Sequence, residues 1–368
     1  MWVDTRRVGL CLRQCERSGS FVICLTLSEH IGKNANYLSD DIRGEAIRAV
    51  LRWSQSVRPV FQCSAVFAFL LFFSTVGGAP NVGLTEPATV IPDPAGLDPL
   101  TDPPIALDFS QLPKPRLRAH AAMIYNPATH EILWESRGYE RRSIASITKV
   151  MTALVFLEGE PDLTRDVVVS RRDVRRASTT YLRRGERLRL HDVLQLALVA
   201  SDNSAARVLA RVSGWGTEGF VEQMNRKARE LGLRSTVFAD PSGLDKRNVS
   251  TAYDLSRLIA YASEHAEIAP TMRKASHSLK TSRRQVTVRN TNRLLRTKLD
   301  VQAGKTGYID ASGYCLAAVV SVPGAGPLSV VVLGAGSSSR RFSEARTLVD
   351  WVSKHGESLM APAVFEAN

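Results

Sequence analysis

Ile144-Ala145-Ser146-Ile147-Thr148-Lys149-Val150-Met151-Thr152-Ala153-Leu154-Val155 is the stretch from which the rest of the chain can be organised. Ile147, Val150, Met151, Leu154 and Val155 recur at i, i+3, i+4, i+7 and i+8, which predicts a helix with one strongly buried face. Ser146 and Lys149 are three residues apart, so on that helix they sit about 60° from each other around the axis and their side chains are neighbours. An alkoxide at Ser146 would lie near the helix N-terminus, where the macrodipole favours negative charge. For Lys149 to accept a serine proton it must be neutral part of the time, and burial together with a second cation, Lys305, would lower its pKa.

Working outward, residues 121–125 and 131–134 flank the turn-rich Asn126-Pro127-Ala128-Thr129 and read as an antiparallel hairpin. Downstream, helices are predicted over residues 191–200, 204–212, 217–231 and 251–264. The last of them opens on Thr251-Ala252-Tyr253-Asp254, a capping-box spacing. Strands then follow at 285–289, 313–322 and 328–333, and a closing helix at 343–354. Strands at both ends with helices between them predict an α+β domain: an antiparallel sheet completed by its two chain ends and flanked by helices, with an inserted helical lobe.

Two more motifs follow in order, Ser201-Asp202-Asn203 and Lys305-Thr306-Gly307. Ser201 and Asn203 fall between two predicted helices, in a loop whose side chains can face a cleft. A serine there can relay a proton to a leaving amine, and an asparagine can hold a substrate amide or Lys149. Asp202 reads as a helix cap. Lys305-Thr306-Gly307 follows Val301-Gln302-Ala303-Gly304 and precedes a small-residue turn, so it can lie along an edge strand beside Ser146. The Lys305 ammonium would attract a substrate carboxylate, the Thr306 hydroxyl would hydrogen-bond it, and Gly307 would let a substrate backbone approach.

With S-x-x-K, S-D-N and K-T-G in this order, the chain resembles the low-molecular-mass penicillin-binding proteins of the D-alanyl-D-alanine carboxypeptidase family. Within that family it is most similar to the D-alanyl-D-alanine endopeptidase branch called penicillin-binding protein 7. The matching text includes residues 144–153, Asp240-Pro241-Ser242-Gly243-Leu244, Ser250-Thr251-Ala252-Tyr253-Asp254-Leu255, Arg289-Asn290-Thr291-Asn292 and Gly304-Lys305-Thr306-Gly307-Tyr308. The similarity covers roughly residues 118–355. It implies a β-lactamase/transpeptidase-like fold and a serine-type DD-peptidase acylated at Ser146 by a D-Ala carbonyl of peptidoglycan stem peptides or cross-links. It also implies Lys149 as base, an oxyanion hole from the backbone N–H groups of Ser146 and Tyr308, and β-lactam antibiotics as covalent inhibitors. No cofactor or metal is implied. A class A β-lactamase shares the motifs but needs a glutamate to activate the deacylating water, and no E-x-x-L-N pattern follows Ser201-Asp202-Asn203. A serine–lysine esterase usually carries a tyrosine in the second motif, and a non-catalytic peptidoglycan- or penicillin-binding protein is at odds with the complete set of Ser146, Lys149 and Lys305. Carboxypeptidase and endopeptidase activity both stay open, because the carboxylate of a cross-link's diamino acid can occupy the place of a terminal D-Ala carboxylate near Lys305.

Composition agrees with a folded domain: 44% of residues are hydrophobic, with 24 glycines and 17 prolines in 368 residues. The formal charge of +12 is concentrated after residue 118. Such a basic domain suits an anionic partner, but no helix-turn-helix, zinc-finger or RNP pattern directs the charge to nucleic acid. The seven histidines show no metal-ligand spacing. Cys11, Cys15, Cys24 and Cys63 precede the globular region, and Cys315 reads as a buried strand residue.

Residues 59–85 carry no charge, and 65–73 are wholly apolar with arginines before them and small residues after, which predicts a signal peptide or anchor over 59–79. The protein is therefore expected to be exported, to the periplasm or the outer face of the cytoplasmic membrane. Membrane contact is expected only through this segment, and only if it is uncleaved. Residues 1–58 are unassigned and suggest a true start near residues 50–60. A proline-rich linker is predicted over 80–116, the catalytic domain over 117–356, and a tail over 357–368.

Overall fold

The computed structural model describes residues 112–360 together with strands at Val3–Thr5, Val8–Gln14, Phe21–Thr26 and Ile105–Ala106. The predicted signal or anchor at 59–79, most of the predicted linker and residues 361–368 lie outside the described residues. The chain divides into two units, residues 1–90 and 91–368. In the first, β1 (Val3–Thr5), β2 (Val8–Gln14) and β3 (Phe21–Thr26) form an antiparallel meander. The sequence showed no fold pattern there.

The second unit opens with β4 (Ile105–Ala106), the hairpin β5 (Ala121–Asn126) and β6 (Glu131–Ser136), and β7 (Arg142–Ser143). A 3-10 turn, Ala145–Thr148, leads into α1 (Lys149–Glu158), followed by β8 (Asp166–Val168), α2 (Arg171–Val174), β9 (Arg187–Arg189), α3 (Leu190–Val199), α4 (Asn203–Val212) and α5 (Gly216–Glu230). Then come β10 (Val249–Ser250), α6 (Ala252–Glu264), α7 (Ile268–Arg273) and the hairpin β11 (Ser276–Lys280) and β12 (Gln285–Arg289). The chain closes with β13 (Asp300–Ile309), β14 (Gly313–Val322), β15 (Gly326–Ala335) and α8 (Ser338–Met360), so the predicted tail begins inside the last helix.

The main sheet has the order β13-β14-β15-β5-β6-β4, antiparallel except for β4, which pairs parallel with β6 and comes from within the predicted linker. The N-terminal hairpin thus closes onto the C-terminal strand β15, with Val331 opposite Met123. Both faces are buried, which is why β14 reads as one unbroken apolar run. Its alternate residues divide the core: Cys315, Ala317 and Val319 share one buried cluster with Leu255 and Ile259 of α6. Leu316, Ala318 and Val320 face Phe342, Ala345, Val349 and Val352 of α8. The Val, Leu, Ile and Phe side chains among them each contribute about 1.5–3 kcal/mol when fully buried. Cys315 is a buried free thiol, as read.

The lobe is built from α1 and α3–α5, with Phe220, Met224 and Ala228 of α5 at i, i+4 and i+8 in its interior. Thr251 caps α6 by accepting from Asp254 N at 3.0 Å. The Asp254 carboxylate does not return to the cap but accepts from Ser235 N at 2.8 Å and Thr236 Oγ1 at 2.7 Å, tying the preceding loop to the helix. A cleft results between the lobe and β13, which lies at the edge of the sheet as the small-residue turn after Gly307 suggested.

Candidate active site

Ser146 lies in the 3-10 turn rather than in α1 itself, one residue after Ala145, whose φ of 48° is unusual for a side chain with a Cβ. Two glycines hold this turn from opposite strands of chain. A Cβ on Gly307 would stand 2.6 Å from Ile144 O and 3.2 Å from Ser146 N. A Cβ on Gly243, whose φ is +80°, would overlap the Ala145 carbonyl and stand 2.9 Å from Ser146 N. Gly307 is expected to admit a substrate backbone, and its bare Cα also admits the Ser146 turn. The edge strand can approach the serine only because that position has no side chain.

Lys149, the first residue of α1, is fully buried. Its Nζ donates to Ser146 Oγ at 2.9 Å, Asn203 Oδ1 at 2.7 Å and the Ser242 carbonyl at 2.5 Å. Burial lowers its pKa to about 7, against the opposing pull of Asp240 and Asp202 and with a smaller push from Arg207. Lys305 is also fully buried and donates to Ser201 Oγ at 2.7 Å and to Thr306 O at 3.1 Å. Burial first, then the charges of Lys149 and Arg341, hold it well below its ordinary value. The sequence reading gave Lys305 a share in lowering Lys149; the cation that adds to burial in lowering it is Arg207.

Asp202 is the N-cap of α4, accepting from Ala205 N at 2.9 Å, as its sequence position suggested. Burial raises its pKa, opposed by hydrogen bonds from Tyr181 N, Ala205 N and Thr180 and by the Lys149 charge. The cap fixes Asn203 at the first position of the helix, where its Nδ2 donates to Ala177 O at 2.7 Å and Ser178 Oγ at 3.1 Å while Oδ1 faces Lys149. Of the two tasks foreseen for Asn203, the structure occupies it with the lysine. Ser201 has φ 58°, a left-handed conformation. Thr306 Oγ1 donates to Thr291 Oγ1 at 2.7 Å. The side chain of Tyr308 is 47% exposed and stacks on Tyr314 at 4.2 Å between ring centroids.

Several contributors had no assigned role in the sequence reading. Asp240 anchors its loop by accepting from Ser242 N at 3.1 Å and Gly243 N at 3.0 Å, which aims the Ser242 carbonyl at Lys149. The stretch Asp240-Pro241-Ser242-Gly243-Leu244 entered the sequence analysis only as text matching the family. Arg341 of α8 is buried, and its Nη1 donates to Gly307 O at 3.0 Å from the far side of the sheet. Gly307 O belongs to the same peptide group as Tyr308 N.

A lysine of this pKa can take a proton at neutral pH from the hydroxyl it touches, and a peptide strand can lie along the open edge of β13 beside that hydroxyl. Together they place the protein among serine–lysine acyl-transfer hydrolases of the β-lactamase-like fold. The chain belongs to the D-alanyl-D-alanine carboxypeptidase family, whose profile matches residues 109–337. It is similar to the D-alanyl-D-alanine endopeptidase of Escherichia coli (strain K12), with 32% identity over 68% of this chain and 82% of that protein. Among solved structures it is similar to the Streptomyces K15 DD-transpeptidase, with a TM-score of 0.62 and 26% identity over 65% of this chain and 98% of that one. It is also similar to penicillin-binding protein D2 of Listeria monocytogenes in a cefotaxime-bound form, with a TM-score of 0.58 and 29% identity over 65% of this chain and 99% of that one. The protein is a serine DD-peptidase of the penicillin-binding class.

Proposed function

We propose that this peptidase cleaves the D-Ala cross-links of peptidoglycan through an acyl-enzyme on Ser146, and that penicillins acylate the same oxygen. The observation that carries the reading is the bond from the buried Lys149 Nζ to Ser146 Oγ at 2.9 Å. Lys149 takes the Ser146 proton as Oγ attacks the D-Ala carbonyl carbon. The backbone N–H groups of Ser146 and Tyr308 receive the oxyanion, a contribution of about 3–4 kcal/mol for donors of this kind. Asn203 and the Ser242 carbonyl keep Lys149 in place throughout. As the C–N bond breaks, Ser201 passes a proton to the leaving amine from the lysine pair, and water later hydrolyses the ester with Lys149 again as base.

Lys305 and Thr306 hold the carboxylate on the leaving side. A carboxylate beside Lys305 favours its charged form and so opposes the effect of burial. The likeness to the Escherichia coli endopeptidase supports cross-link opening over removal of terminal D-Ala. Export is part of the same reading, since the substrate lies outside the cytoplasmic membrane and the sequence carries an uncharged run over residues 59–85. Digestion of purified sacculi followed by muropeptide separation tests the proposal. Loss of cross-linked dimers is expected. Loss of terminal D-Ala alone would make the protein a carboxypeptidase, and no change in either would remove the assignment.

A further inference from the structure

The positive charge of the domain is not spread evenly. Between residues 171 and 189 there are eight arginines, and all eight are exposed. The same segment holds two carboxylates, and both are withdrawn inside. Asp173 is 2% exposed, takes part in the capping box of α2 and is bonded by Arg211 Nη2 at 2.9 Å. Glu186 is 0% exposed and is bonded by Arg284 Nε at 2.7 Å. Their ion-pair partners come from α4 and from the β11–β12 turn, and of the eight surface guanidiniums only that of Arg183 acts on one of them, lowering the pKa of Glu186 at a distance without pairing with it. None of the eight makes an ion pair among the described residues. Elsewhere on the surface, arginines such as Arg226 and Arg247 do face carboxylates, Glu230 and Asp245.

An uncompensated cluster of like charges works against the compact state. Its position shows what it faces. The loop between α2 and β9 supplies Ala177 O and Ser178 Oγ to Asn203, Thr179 O to Asn203 N, and Tyr181 N to the Asp202 carboxylate. The arginines are therefore carried by the chain that forms the lobe-side wall of the catalytic cleft. Arg283 adds to the same surface, its Nη1 donating to Arg184 O at 3.3 Å.

We propose that this arginine face is a docking surface for the peptidoglycan polymer itself, engaging free carboxylates of stem peptides next to the one being cut. The inference rests on the peptidoglycan reading above and extends it from one peptide bond to the sacculus. Stem peptides carry carboxylates at their acidic residues, so a cross-linked strand crossing the cleft presents several anions where the arginines lie. A small substrate or a penicillin fills only the cleft and does not reach the face. The two modes of binding are separable, because the arginines touch none of the groups around Ser146.

The experiment uses Ser146→Ala as a background that cannot turn over, and measures pelleting of the full-length chain with purified sacculi against ionic strength. Arg171, Arg172, Arg175 and Arg183 are changed together to Gln. Exposed charge pairs are individually weak, so the expected loss for the four is roughly tenfold in sacculus binding at low salt. High salt, which shortens screening to a few ångströms, is expected to bring the unmodified face down to the same level. The same four changes in a chain with Ser146 intact should leave penicillin labelling at its full rate, which also shows that the variant folds. Unaltered sacculus binding in the variant overturns the proposal. So does binding to vesicles of anionic phosphatidylglycerol that is as tight as to sacculi and lost with the same arginines, since the face would then belong to a lipid surface. If Ser146 takes up no penicillin in any variant yet sacculus binding still depends on the arginines, the catalytic reading fails and the docking surface stands.

Discussion

Lys149→Arg keeps the positive charge and removes the ability to lose it. At pH 7 a lysine of ordinary pKa is neutral in roughly three molecules in ten thousand. Held at about 7, Lys149 is neutral in about half. Burial therefore enlarges the supply of base by about a thousandfold, while an arginine of pKa above about 12 supplies essentially none. General-base assistance contributes about 10²–10⁴ in rate, so Lys149→Arg should slow acylation by that factor. Lys305→Arg should retain measurable acylation, because its task is to present a cation to a carboxylate. The assay is the rate of labelling by one fluorescent penicillin as a function of pH. With Lys149 intact the rate should climb about tenfold per pH unit below about 7 and level off above it, and in Lys149→Arg this limb should vanish. Labelling of Lys149→Arg at least as fast as Lys305→Arg, or a profile with the native lysine that is flat across pH 7, would refute the assignment of base to Lys149.

Gly243→Ala should destabilise the protein by about 2–4 kcal/mol and slow acylation, because its Cβ meets the Ala145 carbonyl at a position of φ +80°; an unchanged urea midpoint would show that the Ser146 turn is not braced there. Arg341→Met should slow acylation about tenfold through loss of the bond to Gly307 O, with Lys restoring part of the rate and non-covalent penicillin affinity kept. Equal losses in Met and Lys variants would assign Arg341 to packing alone. Lys149 and Lys305 both have folded-state pKa values below their unfolded ones, so between about pH 7 and the ordinary lysine pKa the unfolded chain binds more protons. Stability of the unliganded protein should rise with pH through the lower part of that window, and Lys149→Met should flatten the rise in denaturation measured from about pH 7 to 9.

The fold was legible where burial leaves a period. The runs over 313–322 and 328–333 emerge as β14 and β15, and the helices predicted over 191–200 and 251–264 emerge within a residue or so, at Leu190–Val199 and Ala252–Glu264. Strands β8 and β9 were not legible, because each buries a single residue, Val167 and Leu188, among exposed neighbours, and one apolar side chain sets no period. Strand β11 was missed for the same reason, with only Leu279 buried. At the site, Ser146, Lys149, Ser201, Asn203 and Lys305 were read from side-chain motifs, and the structure joins them in two hydrogen-bonded groups, Lys149 with Ser146 and Asn203, and Lys305 with Ser201. The Ser242 carbonyl and the clearances at Gly243 and Gly307 escaped, since backbone atoms and missing side chains become informative only when another segment packs against them.

The most direct measurement of the central claim is intact-mass analysis of the folded protein after exposure to benzylpenicillin, with the modified peptide then sequenced. The protein should gain the mass of one whole antibiotic, carried on the peptide containing Ser146, and Ser146→Ala should gain none. A folded protein that takes up no antibiotic, or an adduct that persists in Ser146→Ala, would contradict the account.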